Sequence, residues 1–220
     1  MLSVPSNPKI YHIVHIDRLV SIMSSGVLWC DAQVVQRNLN GTVIGMAAIK
    51  RRRLMEIKLP SHPDLYVGQC VPFYFCARSV MLYLLHRSNH SGVSFKGGQG
   101  AILHLEADLK SAVRWALQQG KRWAFTLSNA GAFYFEDRSS LEALVELDWH
   151  AISTKQWSGR GVDRLVKERK QAEFLIERCF PWSLVQRIGV QNQTVYTMVM
   201  TALSQTSHKP QVEIKPDWYY

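Results

Sequence analysis

The stretch KERKQAEFLIERCFPW, from Lys167 to Trp182, is the starting point for interpreting this chain. A basic run leads into the apolar segment 172–176, and Pro181 bounds the stretch, which together favour a short buried strand. Alternation along a strand places Glu173, Leu175 and Glu177 on one face and Ala172, Phe174 and Ile176 on the other.

Glu173 is the residue of this stretch that invites a functional interpretation, because it lies where the polar run meets the apolar one. A carboxylate at that point is either paired or held at the mouth of a cleft, since burying it alone is costly. The alternative is a solvated strand rim where Glu173 pairs with a nearby arginine, and the spacing alone favours that alternative. The rest of the chain decides between the two.

Length and composition indicate one folded domain spanning residues 1–220. Hydrophobic residues make up 47% and charged residues 20% of the chain, which is ordinary for a soluble protein. The apolar runs are too short to cross a bilayer, and the first residues lack the layout of a secretion signal. The four cysteines form no CxxC pair, so we expect reduced thiols in the cytoplasm.

The charge balance indicates a polyanionic partner. Lysine and arginine total 26 against 17 acidic residues, which gives a net charge of +9. The basic residues cluster in two blocks, Lys50–Arg53 and Arg164–Lys170, and such clusters attract nucleic acids through counterion release. A basic surface without a specific partner is the alternative.

The other segments predict mixed helices and strands. His12 lies on a predicted strand, Tyr11–Ile16, and a helix capped by Asp17 ends at Gly26. Further strands are predicted at 70–75 and 101–105, with helices at 81–85, 112–118, from 140 toward 147, and at 183–187, and with a final strand at 211–220. The KGGQG turn at 96–100 lacks the GxGxxG and GK[ST] patterns, so no Rossmann or P-loop site is supported.

Five segments in this order resemble the DarT family, bacterial toxins that use NAD to ADP-ribosylate single-stranded DNA. They are IYHIVHIDRLVSIMSSGVLWC (10–30), AAIKRRR (47–53), VPFYFCARSVMLY (71–83), KQAEFLIERCFPW (170–182) and KPDWYY (215–220). The resemblance covers nearly the whole chain. It implies an α+β, ADP-ribosyltransferase-like fold in which two small packed β-sheets with flanking helices hold NAD in a cleft.

The resemblance also implies a set of site residues. The family's triad of strand histidine, strand aromatic and strand glutamate would correspond to His12, Tyr74 and Glu173. Glu173 and Arg53 would be catalytic, and His12, Tyr74, Tyr83 and Arg78 would bind NAD, which is a co-substrate that needs no metal. Arg53 is preferred over its two neighbours because the family's basic motif ends on that arginine.

Single-stranded DNA is the expected acceptor, because a base must be unstacked to enter a cleft. The candidate DNA contacts are Arg51, Arg52, Lys155, Trp157, Arg164, Lys167 and Arg169, most of them in a long loop before Glu173. Thymidine is the expected base and guanosine the alternative. The resemblance further implies a toxin–antitoxin system with a macrodomain antitoxin.

The chain departs from the family at two places that bear on these expectations. Leu127, Ser128 and Asn129 replace a common Asp-Gly-His run, and Arg18 replaces a common asparagine. Two rival functions stay open at this point. Asp163, Glu168 and Lys170 spell the D-x4-ExK pattern of Mg²⁺-dependent nucleases, and charge with aromatics alone would suit a non-catalytic nucleic-acid-binding module.

Overall fold

A computed structural model describes residues 3–220, so residues 1 and 2 of the predicted domain lie outside the described residues. The strands are β1 (Lys9–His15), β2 (Val27–Trp29), β3 (Lys58–Leu59), β4 (His62–Tyr66), β5 (Cys70–Tyr74), β6 (Ile102–Asp108), β7 (Trp123–Asn129), β8 (Asp137–Arg138), β9 (Ala172–Glu177), β10 (Cys179–Pro181), β11 (Val185–Val190) and β12 (Gln211–Ile214). The α-helices are α1 (Leu19–Ser25), α2 (Asp31–Gln36), α3 (Ala47–Met55), α4 (Val80–Arg87), α5 (Leu109–Gln118), α6 (Trp149–Ser153), α7 (Arg164–Arg169) and α8 (Gln193–Leu203).

The central sheet consists of two halves that are joined at one point. Its strand order is β12-β11-β6-β1-β5-β9-β7-β8, with β1 antiparallel to both neighbours. β1 pairs with β6 along its whole length, but β1 and β5 are in register only at Tyr11 and Tyr74. The two predicted sheets are therefore linked into one sheet of eight strands that opens between β1 and β5.

One hydrophobic core connects the two halves. Ile10 and Leu105 from the first half, and Phe73 and Phe174 from the second, are fully buried in the same cluster. Burial of apolar area on this scale is the main force that holds such a fold together. The predicted alternation along β9 is confirmed, because Phe174 lies in this cluster while Leu175 lies in a second one on the opposite face.

The opening unit also agrees with the sequence pattern. Helix α1 ends at Gly26, whose φ of 70° is the left-handed conformation that glycine adopts without a steric penalty. The chain then turns directly into β2, which pairs with β10 beside β9. This path carries α1 and α2 to the side of the sheet where β1 and β5 separate.

Three of the predicted elements differ in part from the structure. In segment 183–187, predicted as a helix, a short 3-10 turn at Trp182–Leu184 is followed by strand β11, because Val185, Ile188 and Val190 are buried against β6 and β12. The predicted helix from 140 to 147 is a short 3-10 turn at Glu142–Glu146, and the final strand ends at Ile214. Trp218 then packs so closely on Gly189 that a Cβ there would lie 2.4 Å from its ring.

His104 of β6 makes stability depend on pH. It is fully buried between Trp218 and Tyr219, and burial lowers its pKa to about 4. An unfolded histidine has a pKa near 6.5, so between about pH 6.5 and 4 only the unfolded chain binds the proton. We expect this histidine to cost up to about 3 kcal/mol of unfolding free energy as the pH falls through that window.

The measurement is urea unfolding at pH 7.5 and pH 4.5, compared between the wild type and His104→Gln. The glutamine amide can still donate to the Ala77 carbonyl, which lies 3.0 Å from His104 Nε2. The variant should lose less stability on acidification than the wild type. An identical pH dependence in both proteins would contradict the assignment.

Candidate active site

The opening between β1 and β5 leads to a cavity of about 710 Å³. Its walls include His12 from β1, Pro72 and Tyr74 from β5, Arg53 from α3, and Glu173 from β9. Helices α1, α2 and α4 and the segment 42–47 contribute further walls, most of them apolar. A mostly apolar cavity with a few convergent polar groups is typical of a ligand site.

Glu173 and Arg53 form a bidentate ion pair inside this cavity. Arg53 Nη1 and Nη2 donate to the two carboxylate oxygens over 3.2 and 2.9 Å, and the exposed fractions of the side chains are 13% for Arg53 and 4% for Glu173. Glu173 is thus paired with an arginine, as the rim alternative required, but it is buried rather than solvated. The two residues lie 120 positions apart in sequence. Of the three consecutive arginines, Arg53 is the one that pairs with Glu173.

The protonation states of the neighbouring groups follow from their surroundings. Burial lowers the pKa of His12, whose Nδ1 lies 2.8 Å from the Pro72 carbonyl oxygen, so the ring is neutral at pH 7. Burial, and then the charge of Glu173, raise the pKa of Tyr74. Although burial opposes it, the Glu173 carboxylate raises the pKa of Arg53. These four residues therefore supply one carboxylate, one guanidinium and two neutral hydrogen-bonding rings to the site.

The backbone of Glu173 is held by a neighbouring strand. Its N–H donates to Thr126 Oγ1 over 3.0 Å, and the Thr126 hydroxyl donates to the Ser128 carbonyl over 2.7 Å. The β7–β9 register shifts between Phe125 and Asn129, and Asn129 then reaches the cavity wall. The segment in which the chain departs from the family pattern is thus the irregular part of β7 that supports Glu173.

Arg18, the other departure, holds a wall of the cavity in place. Its guanidinium donates to the carbonyls of Thr42 and Gly41 over 3.0 and 2.8 Å. Asp17 accepts from the Thr42 N–H and hydroxyl over 2.9 and 2.7 Å. These two adjacent residues tie the segment before α3 to the end of β1, and Arg18 itself also lines the cavity.

Tyr83 and Arg78 are not brought to the cavity. On helix α4, Val80, Met81 and Leu84 face the cavity. Because each residue of an α-helix is rotated by about 100° from the one before it, Tyr83 lies on another face. There the Tyr83 ring lies 5.1 Å from the rings of both Trp157 and Tyr220. The Arg78 guanidinium lies 4.4 Å from the Tyr220 ring centroid. The expectation that Tyr83 stacks on nicotinamide therefore has no support from this arrangement.

Trp157 is also placed differently from the prediction. Only 6% of it is exposed, and its indole N–H donates to the Tyr220 hydroxyl over 2.9 Å. A ring buried in this way offers no free face for a DNA base. Of the other predicted DNA contacts, five are exposed: Arg51, which borders the cavity, Arg169, which pairs with Asp148 at 3.0 Å, and Lys155, Arg164 and Lys167. Arg52 is only partly exposed, and two of its nitrogens are buried.

The residues of the nuclease-like pattern have structural contacts instead. Asp163 caps α7 by accepting from the Leu165 N–H, and Lys170 follows the other end of that helix. Lys170 is buried, and its ammonium donates to the carbonyls of Ile152 and Thr154 over 2.7 and 2.9 Å. Within residues 3–220 no group of three or more His, Cys, Asp or Glu side chains is arranged to hold a metal ion.

Replacing Lys170 by methionine should lower the free energy of unfolding by about 1–3 kcal/mol, because two buried carbonyls lose their charged donor. Lys167→Met is the matched control, since Lys167 is exposed on α7, three residues earlier. The control should change stability by less than about 0.5 kcal/mol in urea unfolding. Equal losses in the two variants would contradict the role assigned to Lys170.

Two features of this region were missed by the sequence analysis. Asp31 and Lys50 form an ion pair at 2.5 Å on the cavity wall, which only the packing of α2 on α3 creates. Phe133 and Tyr134 are almost fully exposed in the loop after β7. The feature of the sequence that could have indicated them is the pair of adjacent aromatic residues shortly after Gly131.

Comparisons with known proteins agree with this geometry. A family model described as "DarT: ssDNA thymidine ADP-ribosyltransferase" matches residues 11–220. A DNA ADP-ribosyl transferase of Thermus sp. (strain 2.9) is 35% identical over 218 residues, which cover 98% of each chain. One from Mycobacterium tuberculosis is 29% identical over 98% of this chain and 90% of its own length.

Solved structures give the same result. Thermus sp. 2.9 DarT in complex with ADP-ribosylated ssDNA has a TM-score of 0.88 and 34% identity, covering 100% of this chain and 99% of its own. The same protein in complex with NAD⁺ has a TM-score of 0.82 and 32% identity, covering 99% and 100%. The predicted ADP-ribosyltransferase-like fold is thereby confirmed, and this chain belongs to the DarT family of single-stranded-DNA thymidine ADP-ribosyltransferases.

Proposed function

We propose that this chain transfers ADP-ribose from NAD⁺ to thymidine in single-stranded DNA, as the toxin of a toxin–antitoxin system. The observation that carries the proposal is the buried Glu173–Arg53 pair in a cavity that also contains His12 and Tyr74. The family relationship and the relatives solved with NAD⁺ and with ADP-ribosylated DNA support it.

Glu173 is proposed to act on both halves of the reaction. As the bond from nicotinamide to ribose C1′ breaks, positive charge develops at C1′, and a carboxylate beside it stabilises that charge. The base nitrogen that then bonds to C1′ must lose its proton, and a carboxylate within hydrogen-bond reach accepts it. Nicotinamide leaves as a neutral molecule, so charge and protons balance.

Arg53 is proposed to orient Glu173 and to stabilise negative charge on the acceptor base or on the NAD phosphates. A carboxylate has about four lone-pair sites, so Glu173 can bond a ribose hydroxyl while it remains paired with Arg53. Loss of one preorganised group of this kind costs about 2–4 kcal/mol in other enzymes. Neutral His12 donates from Nδ1 to the Pro72 carbonyl, so its Nε2 can accept a hydrogen bond from a ribose hydroxyl. Tyr74 lies opposite Glu173 on the adjacent strand.

The acceptor must reach a carboxylate that is buried in a cavity. A base can do so only when it is unstacked, which costs least in single-stranded DNA. The net charge of +9 and the exposed basic side chains of α3 and α7 are suited to guiding a polyanion toward this opening.

The test is incubation with labelled NAD⁺, in the presence of EDTA, with homopolymer and mixed single-stranded oligonucleotides. We expect label on thymidine-containing DNA only, with release of one nicotinamide per ADP-ribose transferred. Labelling of guanosine would overturn the base assignment. Labelling of protein or RNA but not DNA would overturn the function, as would cleavage of DNA in a parallel reaction that contains Mg²⁺ in place of EDTA.

We also propose a macrodomain antitoxin that removes the modification, and action in the cytoplasm, where NAD⁺ and single-stranded DNA meet. Adding a de-ADP-ribosylating macrodomain to the labelled product should release the label, and a product that resists it would argue against this partner. Within residues 3–220, no helix has both the length and the apolar character that a bilayer crossing requires.

A further inference from the structure

Two adjacent aromatic side chains stand out from the rest of the surface. Phe133 is 75% exposed and Tyr134 94% exposed, in the loop between β7 and β8. Large aromatic rings normally bury most of their area, and a pair left in water marks an interaction site more often than a lone apolar residue does. Neither residue contributes to the cavity described above.

An arginine side chain packs against Phe133, one of these two rings. The Arg52 guanidinium lies 3.9 Å from the centre of the Phe133 ring, the arrangement of a cation–π contact. Two of the Arg52 nitrogens, Nε and Nη2, are buried without a hydrogen-bond partner within residues 3–220, and the Glu56 carboxylate is 3.9 Å from Nε. The ring is thus the main partner of this charge, and the guanidinium fixes its position.

The same loop lies against the helix that carries the catalytic arginine. Arg53, the next residue of α3, pairs with Glu173. At the loop's start, Gly131 approaches α3 so closely that a Cβ would lie 3.2 Å from Ile49 Cγ2. Asn129, two residues earlier, lines the cavity. The loop that carries the exposed aromatic pair therefore begins at the cavity wall and runs along the helix that carries Arg53.

The chemistry of this patch favours nucleic acid over a protein partner. Exposed Lys58 borders the two rings and the Arg52 guanidinium lies over Phe133, so the patch combines π-faces with positive charge. Bases stack on aromatic side chains whatever their identity, while neighbouring cations bind the backbone. The same surface also includes the acidic Glu56 and the apolar Ile57, Pro60 and Phe135, and it is the net charge of +9 that favours a polyanion over a protein partner.

We propose that Phe133 and Tyr134 form a stacking platform for the bases that flank the acceptor thymidine. The proposal rests on the DNA-directed function given above and assigns to this loop the role that Trp157, being buried, cannot fill. Stacking of the neighbours would hold the strand while the acceptor base turns into the cavity. The platform would affect the binding of DNA and not the binding of NAD⁺.

The test compares two oligonucleotides that contain a single thymidine, one with normal neighbouring bases and one with abasic residues on both sides. For the first, the double variant Phe133→Ala/Tyr134→Ala should raise the KM for DNA roughly 10-fold or more, with the KM for NAD⁺ unchanged. For the abasic oligonucleotide the wild type and the double variant should have the same KM. Phe133→Trp/Tyr134→Trp should restore binding.

Leu117→Ala is the matched control, because Leu117 is 67% exposed on α5 and its truncation should leave both KM values unchanged. The platform is refuted if the double variant keeps the wild-type KM for the normal oligonucleotide, or if its KM rises by the same factor for the abasic oligonucleotide. A wild type that labels no DNA at all would instead refute the function itself, so the two failures are distinguishable.

Discussion

Glu173→Gln is expected to reduce transfer of ADP-ribose to DNA by roughly 1,000-fold, the upper end of what the loss of one preorganised hydrogen-bond donor costs in acyl-transfer enzymes. The amide has nearly the shape of the carboxylate but neither its negative charge nor its basicity. It can neither stabilise positive charge at C1′ nor remove the proton from the base. The measurement is incorporation of labelled ADP-ribose under single-turnover conditions.

Glu177→Gln is the matched control on the same strand. Glu177 pairs with Arg122 at 2.7 Å at the other end of β9 and does not line the cavity. This variant should retain turnover within a factor of about two, although it loses a partly exposed ion pair. Calorimetric binding of NAD⁺ to Glu173→Gln separates chemistry from folding: binding should persist, and near wild-type turnover would remove Glu173 from the mechanism.

Arg53→Ala is expected to have the second-largest effect, with a loss of roughly 100-fold or more in transfer. It also leaves the Glu173 carboxylate buried without its partner, which should cost about 3–5 kcal/mol of unfolding free energy. Arg53→Lys should recover part of the stability but little of the activity, because an ammonium cannot form the two parallel hydrogen bonds.

The pairing itself is tested by a double-mutant cycle in urea. Arg53→Ala/Glu173→Gln should be destabilised by less than the sum of the two single variants, because the double variant contains no unpaired buried charge. Arg51→Ala is the control, as Arg51 is exposed on α3 two residues before Arg53. Additive losses, or an Arg51→Ala variant as inactive as Arg53→Ala, would contradict the assignment of Arg53.

Much of the site could be predicted because its parts are local. Period-two alternation in QAEFLI identified β9 and placed Glu173 at its start, and Gly26 marked the end of α1. His12 and Tyr74 were assigned to strands correctly, and both line the cavity. Their roles in NAD⁺ binding remain predictions.

The failures share a physical cause. Short amphipathic runs such as Val185–Val190 fit either a helix or a strand, and the choice depends on the buried neighbours that β6 and β12 supply. Trp157 was predicted to contact DNA and Tyr83 to contact NAD, because aromatic rings suit both a core and a stacking surface. Only the packing of the chain's last residues, where Tyr220 contacts both of these rings, shows which of the two applies.

The sequence by itself determined the α+β class, the strand that carries the acid, and a basic surface suited to a polyanion, because each depends on residues close together in the chain or on total charge. The tertiary structure alone decided which arginine faces the acid, how the sheet opens to form the cavity, and which aromatic rings remain in solvent. These depend on contacts between segments up to 120 residues apart, whose relative positions are set by burial of the shared core and not by any local pattern.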